Sequence, residues 1–288
     1  MVGSLNHQLK NLLTEITLRG TQSSPRGLAV KEIELTTLAL DSTFSVADST
    51  ARPFNWSYLC GEMAWYLQRD NHIGFIDHFS KFWQNIATPE GYVNSNYGTI
   101  LFGIQMEWAK EALLKDKNTR QAVCFVNSPR YQYDGNKDFV CTMYIIFWIR
   151  DNRLNMKVQM RSNDVFYGLS YDAPFFAFVQ QTMWLWIKEK YTDLELGTYY
   201  HSADNSHFYE KHFEVAEKIM QEDPRDPVYF LLKEPLFNVK DGQFILLPPG
   251  QEFLQDVNEV VRNFIENPEY KILNVTTKQI LQKYFCIQ

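Results

Sequence analysis

Apolar residues recur at helical spacing near the start of the chain. Leu5, Leu9, Leu12, Leu13 and Ile16 share one face and predict an amphipathic helix that ends near Gly20. Gln22-Ser23-Ser24-Pro25-Arg26-Gly27 has the composition of a loop. Between residues 28 and 40 the pattern changes to alternation, with Val30, Ile33, Leu35, Leu38 and Leu40 marking strands. Trp56, Leu59, Cys60, Met63, Tyr66 and Leu67 return to helical spacing and stop around Asp70-Asn71. A further helix is expected from about Thr99 to Lys115, then a strand over residues 121–127. A hairpin follows: residues 139–149, a turn at Arg150-Asp151-Asn152-Arg153, and an alternating strand over 154–160. Residues 173–190 are apolar nearly all round, which predicts a central helix. Another helix is expected from near Asn205. Beyond Pro224 the chain reads as Pro-punctuated strands, with a final helix or two from Gln251. No repeat or linker divides the sequence. The expectation is one α+β domain over residues 1–288, with a C-terminal elaboration from about residue 224.

Composition narrows the function. The 288 residues can bury a sizeable core, and 45% hydrophobic with 15% aromatic content excludes a disordered chain. A net charge of −6 argues against sequence-independent binding to duplex nucleic acid, which needs a basic surface. A small anion held by a few arginines remains compatible with it. The four cysteines (Cys60, Cys124, Cys141, Cys286) form no Cys-x-x-Cys pair, which favours reduced thiols in a cytoplasm-like compartment. The N-terminus is too polar for a secretory signal, and no apolar run is long enough for a membrane span. His207 and His212, read as helix residues five apart, would face different ways, so no metal site is expected.

Several residues carry candidate chemistry, each with an ordinary structural alternative. Cys141, in Asp138-Phe139-Val140-Cys141-Thr142 on a predicted strand, is either a small core residue or a nucleophile. Arg161-Ser162-Asn163-Asp164-Val165-Phe166-Tyr167-Gly168 begins twenty residues later and offers an arginine and a hydroxyl to an anion. Glu62 lies between Leu59 and Tyr66 beside an apolar stripe, either at a solvated edge or turned into a site. Asp172 precedes the apolar run beginning at Ala173, where an aspartate commonly caps a helix.

Taken together, these segments resemble the thymidylate synthase family. The resemblance rests on Cys141, on Arg161-Ser162-Asn163-Asp164 with Gly168, on Gly61-Glu62-Met63-Ala64-Trp65-Tyr66-Leu67, and on Asp204-Asn205-Ser206-His207-Phe208-Tyr209. Asn96-Tyr97-Gly98 and Trp83 add to it, and the order holds from about residue 8 to 215. Asn94-Ser95-Asn96-Tyr97-Gly98, the Cys141 segment and Met160-Arg161-Ser162-Asn163-Asp164-Val165 look most like its phage deoxycytidylate-hydroxymethylase branch. Thymidylate synthases typically carry His where this chain has Thr142, and Asn where it has Asp172.

The resemblance implies a large mixed sheet packed with helices and a homodimer formed through that sheet. It also implies a one-carbon transfer from 5,10-methylenetetrahydrofolate to C5 of a pyrimidine nucleotide. Cys141 would add to C6 of the base, and Glu62 would move protons. Arg26, Arg161 and Ser162 would hold the phosphate, with Arg120 reaching into the partner subunit's site; a second arginine of that pair is replaced by Gln121. His207 and Tyr209 would hold the sugar hydroxyl. Asp164 and Trp83 would face the folate, and Tyr97 would supply an active-site hydroxyl on that side. The partners implied are small molecules, a nucleotide and a folate, with no nucleic acid or membrane.

Asp172 gives the reading its direction. Uracil presents a donor and then a carbonyl, whereas cytosine presents an acceptor and then an amino group. A carboxyl accepts from that amine and, when protonated, also satisfies the ring nitrogen. Asp172 therefore points to a cytosine nucleotide, and together with the branch resemblance it makes dCMP hydroxymethylation the leading reading. A dCMP methylase, a CMP hydroxymethylase, a dUMP-directed enzyme and a non-catalytic nucleotide-binding homologue are the alternatives.

Overall fold

The computed structural model describes residues 2–223, 225–266 and 270–288. Its first half comprises α1 (Leu5–Arg19), β1 (Thr21–Ser23), β2 (Val30–Asp41), α2 (Trp56–Gln68), α3 (Tyr97–Leu101), α4 (Ile104–Lys115) and β3 (Val123–Phe125). The centre holds β4 (Thr142–Arg150), β5 (Arg153–Met160), β6 (Asn163–Asp164), α5 (Ser170–Lys188) and β7 (Glu195–Tyr209). After these come α6 (Phe213–Gln221), β8 (Phe230–Leu232), β9 (Phe237–Lys240), β10 (Gln243–Leu246), α7 (Pro248–Glu266), α8 (Tyr270–Tyr284) and β11 (Phe285–Ile287).

One sheet organises these elements, in the order β1-β2-β7-β5-β4-β3 with β6 pairing to β7. β5 and β6 run parallel to β7 and the other neighbours are antiparallel, so the sheet is mixed and the α+β expectation holds. Helix α5 is buried on almost every side, as its unbroken apolar run requires. Its Phe175 and Phe176 meet Tyr66 of α2 and Tyr97 of α3 in one aromatic cluster. Helix α2 is buried at every position from Trp56 to Leu67 except Tyr58, far beyond a one-sided stripe. Helices α7 and α8 pack against it, and Asn274 of α8 accepts from the Ser57 N–H.

Sequence and structure part in several places. Residues 195–209 form a single strand, so the helix expected near Asn205 is absent and the next helix begins at Phe213. Pairing with β2 on one edge and β6 on the other satisfies this backbone more fully than an isolated helical turn would. His207 therefore lies on a strand and His212 in the turn that follows. The helix expected over 99–115 is two helices, broken at Phe102, whose ring is fully buried against Phe237 at 4.3 Å. Strand β4 begins at Thr142, not 139, because the Arg161 side chain takes the carbonyls of Phe139 and Val140. Cys141 thus precedes its strand by one residue. Gln22 and Ser23, expected in a loop, pair as β1 with β2, and the strand over 121–127 contracts to β3.

The boundary residue Pro224 lies outside the described residues. Beyond it the chain is built into the fold: β11 pairs with β8, Phe285 stacks on Phe230 at 4.4 Å, and the buried Gln181 amide of α5 donates to the Phe230 carbonyl and accepts from the Leu232 N–H, at the two ends of β8. No helix among the described residues is long and apolar enough to cross a membrane.

Candidate active site

Cys141 sits where β4 starts irregularly, with a register shift between Thr142 and Tyr144. Its carbonyl accepts from the Arg161 N–H at 2.9 Å, and the Arg161 guanidinium curls back so that Nη2 lies 3.4 Å from Sγ. Burial raises the Cys141 pKa and Arg161 pulls it down, with Asp172 and Asp138 opposing and Arg26 assisting. The sulfur therefore rests as a thiol, with a cation in place to stabilise a thiolate. Asp138 anchors the segment before it, accepting from the backbone N–H groups of Asn94 and Ser95 at 2.6 and 2.8 Å. That turn leads into α3, where a Cβ on Gly98 would stand 1.8 Å from the Tyr66 carbonyl; only glycine allows so close an approach. Tyr97 is thereby held against Tyr66, and its hydroxyl accepts from Thr142 Oγ1 at 2.9 Å. Asp172 and Cys141 both raise the Tyr97 pKa after burial, which places this phenol at the Cys141–Asp172 end of the site.

Asp172 is not the helix cap that its position suggests. It is the third residue of α5, and its Oδ2 accepts from Asn163 Nδ2 at 2.8 Å. A Cβ on Gly168 would lie 2.7 Å from that nitrogen and 3.1 Å from that oxygen, so the glycine of the segment makes room for this contact. Burial pushes the Asp172 carboxyl up to about 6. Glu62 faces inward from α2, accepting from the Tyr58 hydroxyl at 2.8 Å, and burial pushes it up to about 8. The solvated-edge alternative is excluded by its 6% exposure.

The Glu62 shift makes stability pH-dependent. An ordinary glutamate ionises near 4.5, so the folded chain holds a proton that the unfolded chain releases between 4.5 and about 8. This contribution is present in full below that range and is lost as pH rises through it. Glu62→Gln should melt with wild type near the acid end of the range and above it on the alkaline side. The expected gap is on the order of 3 kcal/mol, roughly 5–10 °C for a chain of this size. Thermal melts across pH test this, and a gap that does not vary with pH would contradict it.

The proposed nucleotide contacts gather beside the thiol. Pairing of β6 with β7 sets Asp164 opposite His207, and Ser162 Oγ lies 3.4 Å from His207 Nδ1. Tyr209 stands two residues on along the same strand, edge-on to His207 at 5.6 Å. Burial lowers the His207 pKa, which keeps the ring neutral as a hydrogen-bonding group. Arg26 is exposed in a turn where it and Gly27 both take positive φ, 56° and 79°, and it bears electrostatically on both Cys141 and His207. Arg120 is exposed on the turn before β3 and is not brought to this constellation.

A family model for thymidylate synthase matches residues 7–246. The chain belongs to the thymidylate synthase family. Deoxycytidylate 5-hydroxymethyltransferase of Enterobacteria phage T4 is 28% identical over 214 residues, spanning 66% of this chain and 86% of that protein. Deoxyuridylate hydroxymethyltransferase of Bacillus phage SP01 is 24% identical, over 69% of this chain and 55% of its own. Thermostable thymidylate synthase A from Bacillus subtilis shares the fold, with a TM-score of 0.66 at 15% identity over 80% of this chain and 88% of that one. The chain is thus a folate-dependent transferase that moves a one-carbon unit to a pyrimidine nucleotide.

Methylenetetrahydrofolate is the co-substrate of this family, and the chain offers it a fitting edge. Asp164 Oδ1 accepts from the Phe166 and Tyr167 N–H groups at 2.7 and 2.8 Å, while Oδ2 is buried with no hydrogen-bond partner among the described residues. A buried acceptor left open in this way suits the N–H groups of a pterin. Trp83 packs edge-on against Trp65 at 4.8 Å and against Phe82 at 5.8 Å nearby.

Three site residues are not apparent from the sequence alone: Asn163, His201 and Tyr199. Asn163 lies within the recognised segment, but its side-chain role appears only in three dimensions. Tyr199 and His201 alternate with His207 and Tyr209 along β7, a period-two signal hidden by the helix expected there.

Proposed function

We propose that the chain is a deoxycytidylate 5-hydroxymethyltransferase. The reaction joins dCMP, methylenetetrahydrofolate and water, and gives 5-hydroxymethyl-dCMP and tetrahydrofolate. Cys141 adds to C6 of the base, which makes C5 nucleophilic toward the methylene carbon supplied by the folate. Loss of the C5 proton and departure of tetrahydrofolate leave an exocyclic methylene. Water then adds its oxygen to that carbon, and the sulfur leaves C6. Glu62, neutral below about pH 8 and ringed by Tyr58 and Tyr66, supplies the proton-moving group beside the base.

The observation that carries the substrate choice is Asp172, a carboxyl pushed up to about 6 within electrostatic reach of Cys141. At that pKa it can present a donor and an acceptor together, which cytosine requires and uracil does not match. Arg161, Ser162 and Arg26 take the phosphate, and His207 and Tyr209 the sugar. We extend the proposal to a homodimer. Trp148 and Tyr200 stack at 5.9 Å on the sheet, partly exposed, beside partly exposed Ile146 and Lys157. A second copy seated there would let exposed Arg120 reach the neighbouring phosphate site.

Incubation with dCMP, CMP and dUMP in turn, each with methylenetetrahydrofolate, tests the proposal. The expected product is dCMP carrying one added CH2O unit, with tetrahydrofolate left unoxidised. A methylated product, or faster turnover of dUMP, would overturn it.

A further inference from the structure

Behind Asp172 lies a chain of buried polar groups that the reaction itself does not use. Tyr199 Oη is 2.7 Å from His201 Nδ1, His201 Nε2 is 3.1 Å from Asn163 Oδ1, and Asn163 Nδ2 is 2.8 Å from Asp172 Oδ2. Tyr199 is fully buried, with His201 and Asn163 at 3% and 4% exposure. We propose that Tyr199, His201 and Asn163 form a one-way hydrogen-bond relay that keeps the Asp172 proton on the oxygen facing the base. They are thus positioning residues for cytosine selection. This rests on the reading of Asp172 as the base-sensing group.

The direction follows from the first member. The Tyr199 hydroxyl must place its hydrogen on an acceptor, and among the described residues its hydrogen-bond partner is His201 Nδ1. Burial drives the His201 pKa down to about 3, so the ring carries a single proton, which then resides on Nε2. That N–H donates to Asn163 Oδ1, which turns the amide NH2 toward Asp172. Oδ2 is thereby engaged as an acceptor and any carboxyl proton sits on Oδ1. Asp172 then offers the base one donor and one remaining acceptor, the pattern of the cytosine edge. With the amide reversed, Asn163 would take the proton for itself and leave two acceptors, which cytosine cannot pair with. Gly168 keeps the Asn163–Asp172 contact open, since a Cβ there would push on the Asn163 nitrogen and crowd the Asp172 oxygen.

Two measurements decide it. Nitrogen-15 NMR of the intact protein reads which His201 nitrogen carries hydrogen: Nε2 is expected, and Nδ1 would overturn the relay. Tyr199→Phe removes the donor while keeping the ring. It should lower the ratio of kcat/KM for dCMP over dUMP roughly tenfold with the fold intact, because the amide is no longer held one way. An unchanged ratio in folded Tyr199→Phe would also overturn it. His201→Gln retains one donor and one acceptor and should recover part of the ratio, which a packing role alone does not predict. Asp172→Asn separates the two levels. If that variant changes base preference and Tyr199→Phe does not, only the relay fails. If Asp172→Asn leaves the preference untouched, the reading beneath it fails.

Discussion

Cys141→Ser is expected to lower turnover of dCMP by about 10⁴-fold or more, since a nucleophile acting within a unit takes nearly the whole rate with it. Serine preserves size and position but not the acidity that the Arg161 guanidinium exploits from 3.4 Å. Release of tritium from C5 of labelled dCMP is the direct readout, because that hydrogen leaves only after C6 is occupied. The variant should fold normally, as the residue is only partly buried and Arg161, the hydrogen-bonding neighbour of the thiol among the described residues, keeps the Phe139 and Val140 carbonyls. No other thiol can substitute. Cys124 is buried with its pKa pushed up to about 12, Cys60 is raised further still, and Cys286 lies on β11. Persistent tritium release from the serine variant would therefore remove the covalent step altogether.

Asp172→Asn should exchange one base for the other. An amide there matches uracil when its NH2 meets the carbonyl at position 4 and its oxygen meets the ring N–H, the reverse of the carboxyl pattern, so the Asn163 amide would have to turn and accept from it. Loss on dCMP together with gain on dUMP should change the ratio of kcat/KM by roughly 10³–10⁴, as expected when a buried donor–acceptor pattern is inverted. Stability should change little, because Asn163 keeps a partner and a charge-bearing group leaves a buried position. A variant that loses activity on dCMP without gaining any on dUMP would assign Asp172 to proton transfer instead of base choice.

Much of this site was readable before the fold. Cys141, Arg161, Ser162, Asp164 and Glu62 stand out through the family resemblance of their segments, and the structure sets Arg161 beside Cys141, with Asp172 and Arg26 in electrostatic reach of it and Ser162 beside His207. Helices α1 and α5 and the β4–β5 hairpin follow from periodicity because each buries a continuous apolar surface. Strand β7 was hidden for the opposite reason. Its odd-numbered face changes from buried Tyr199, His201 and Ala203 to half-buried Asn205, His207 and Tyr209, while Ser206 and Phe208 on the other face become buried. The apolar alternation by which strands are recognised is lost where the buried face switches. The hydrogen bond from His201 to Asn163 spans 38 residues of sequence, and no local pattern encodes it.

Because β7 carries His201 near its middle and His207 and Tyr209 at its end, the proposed recognition of the heterocycle and the proposed grip on the pentose would hang from one rigid rail. Movements of that rail shift both together, so backbone drift offers no route to altering one alone. Side-chain exchange does, and it leaves the rail in place. On the proposed roles, a change of preferred base would therefore ask for one new side chain and no new backbone.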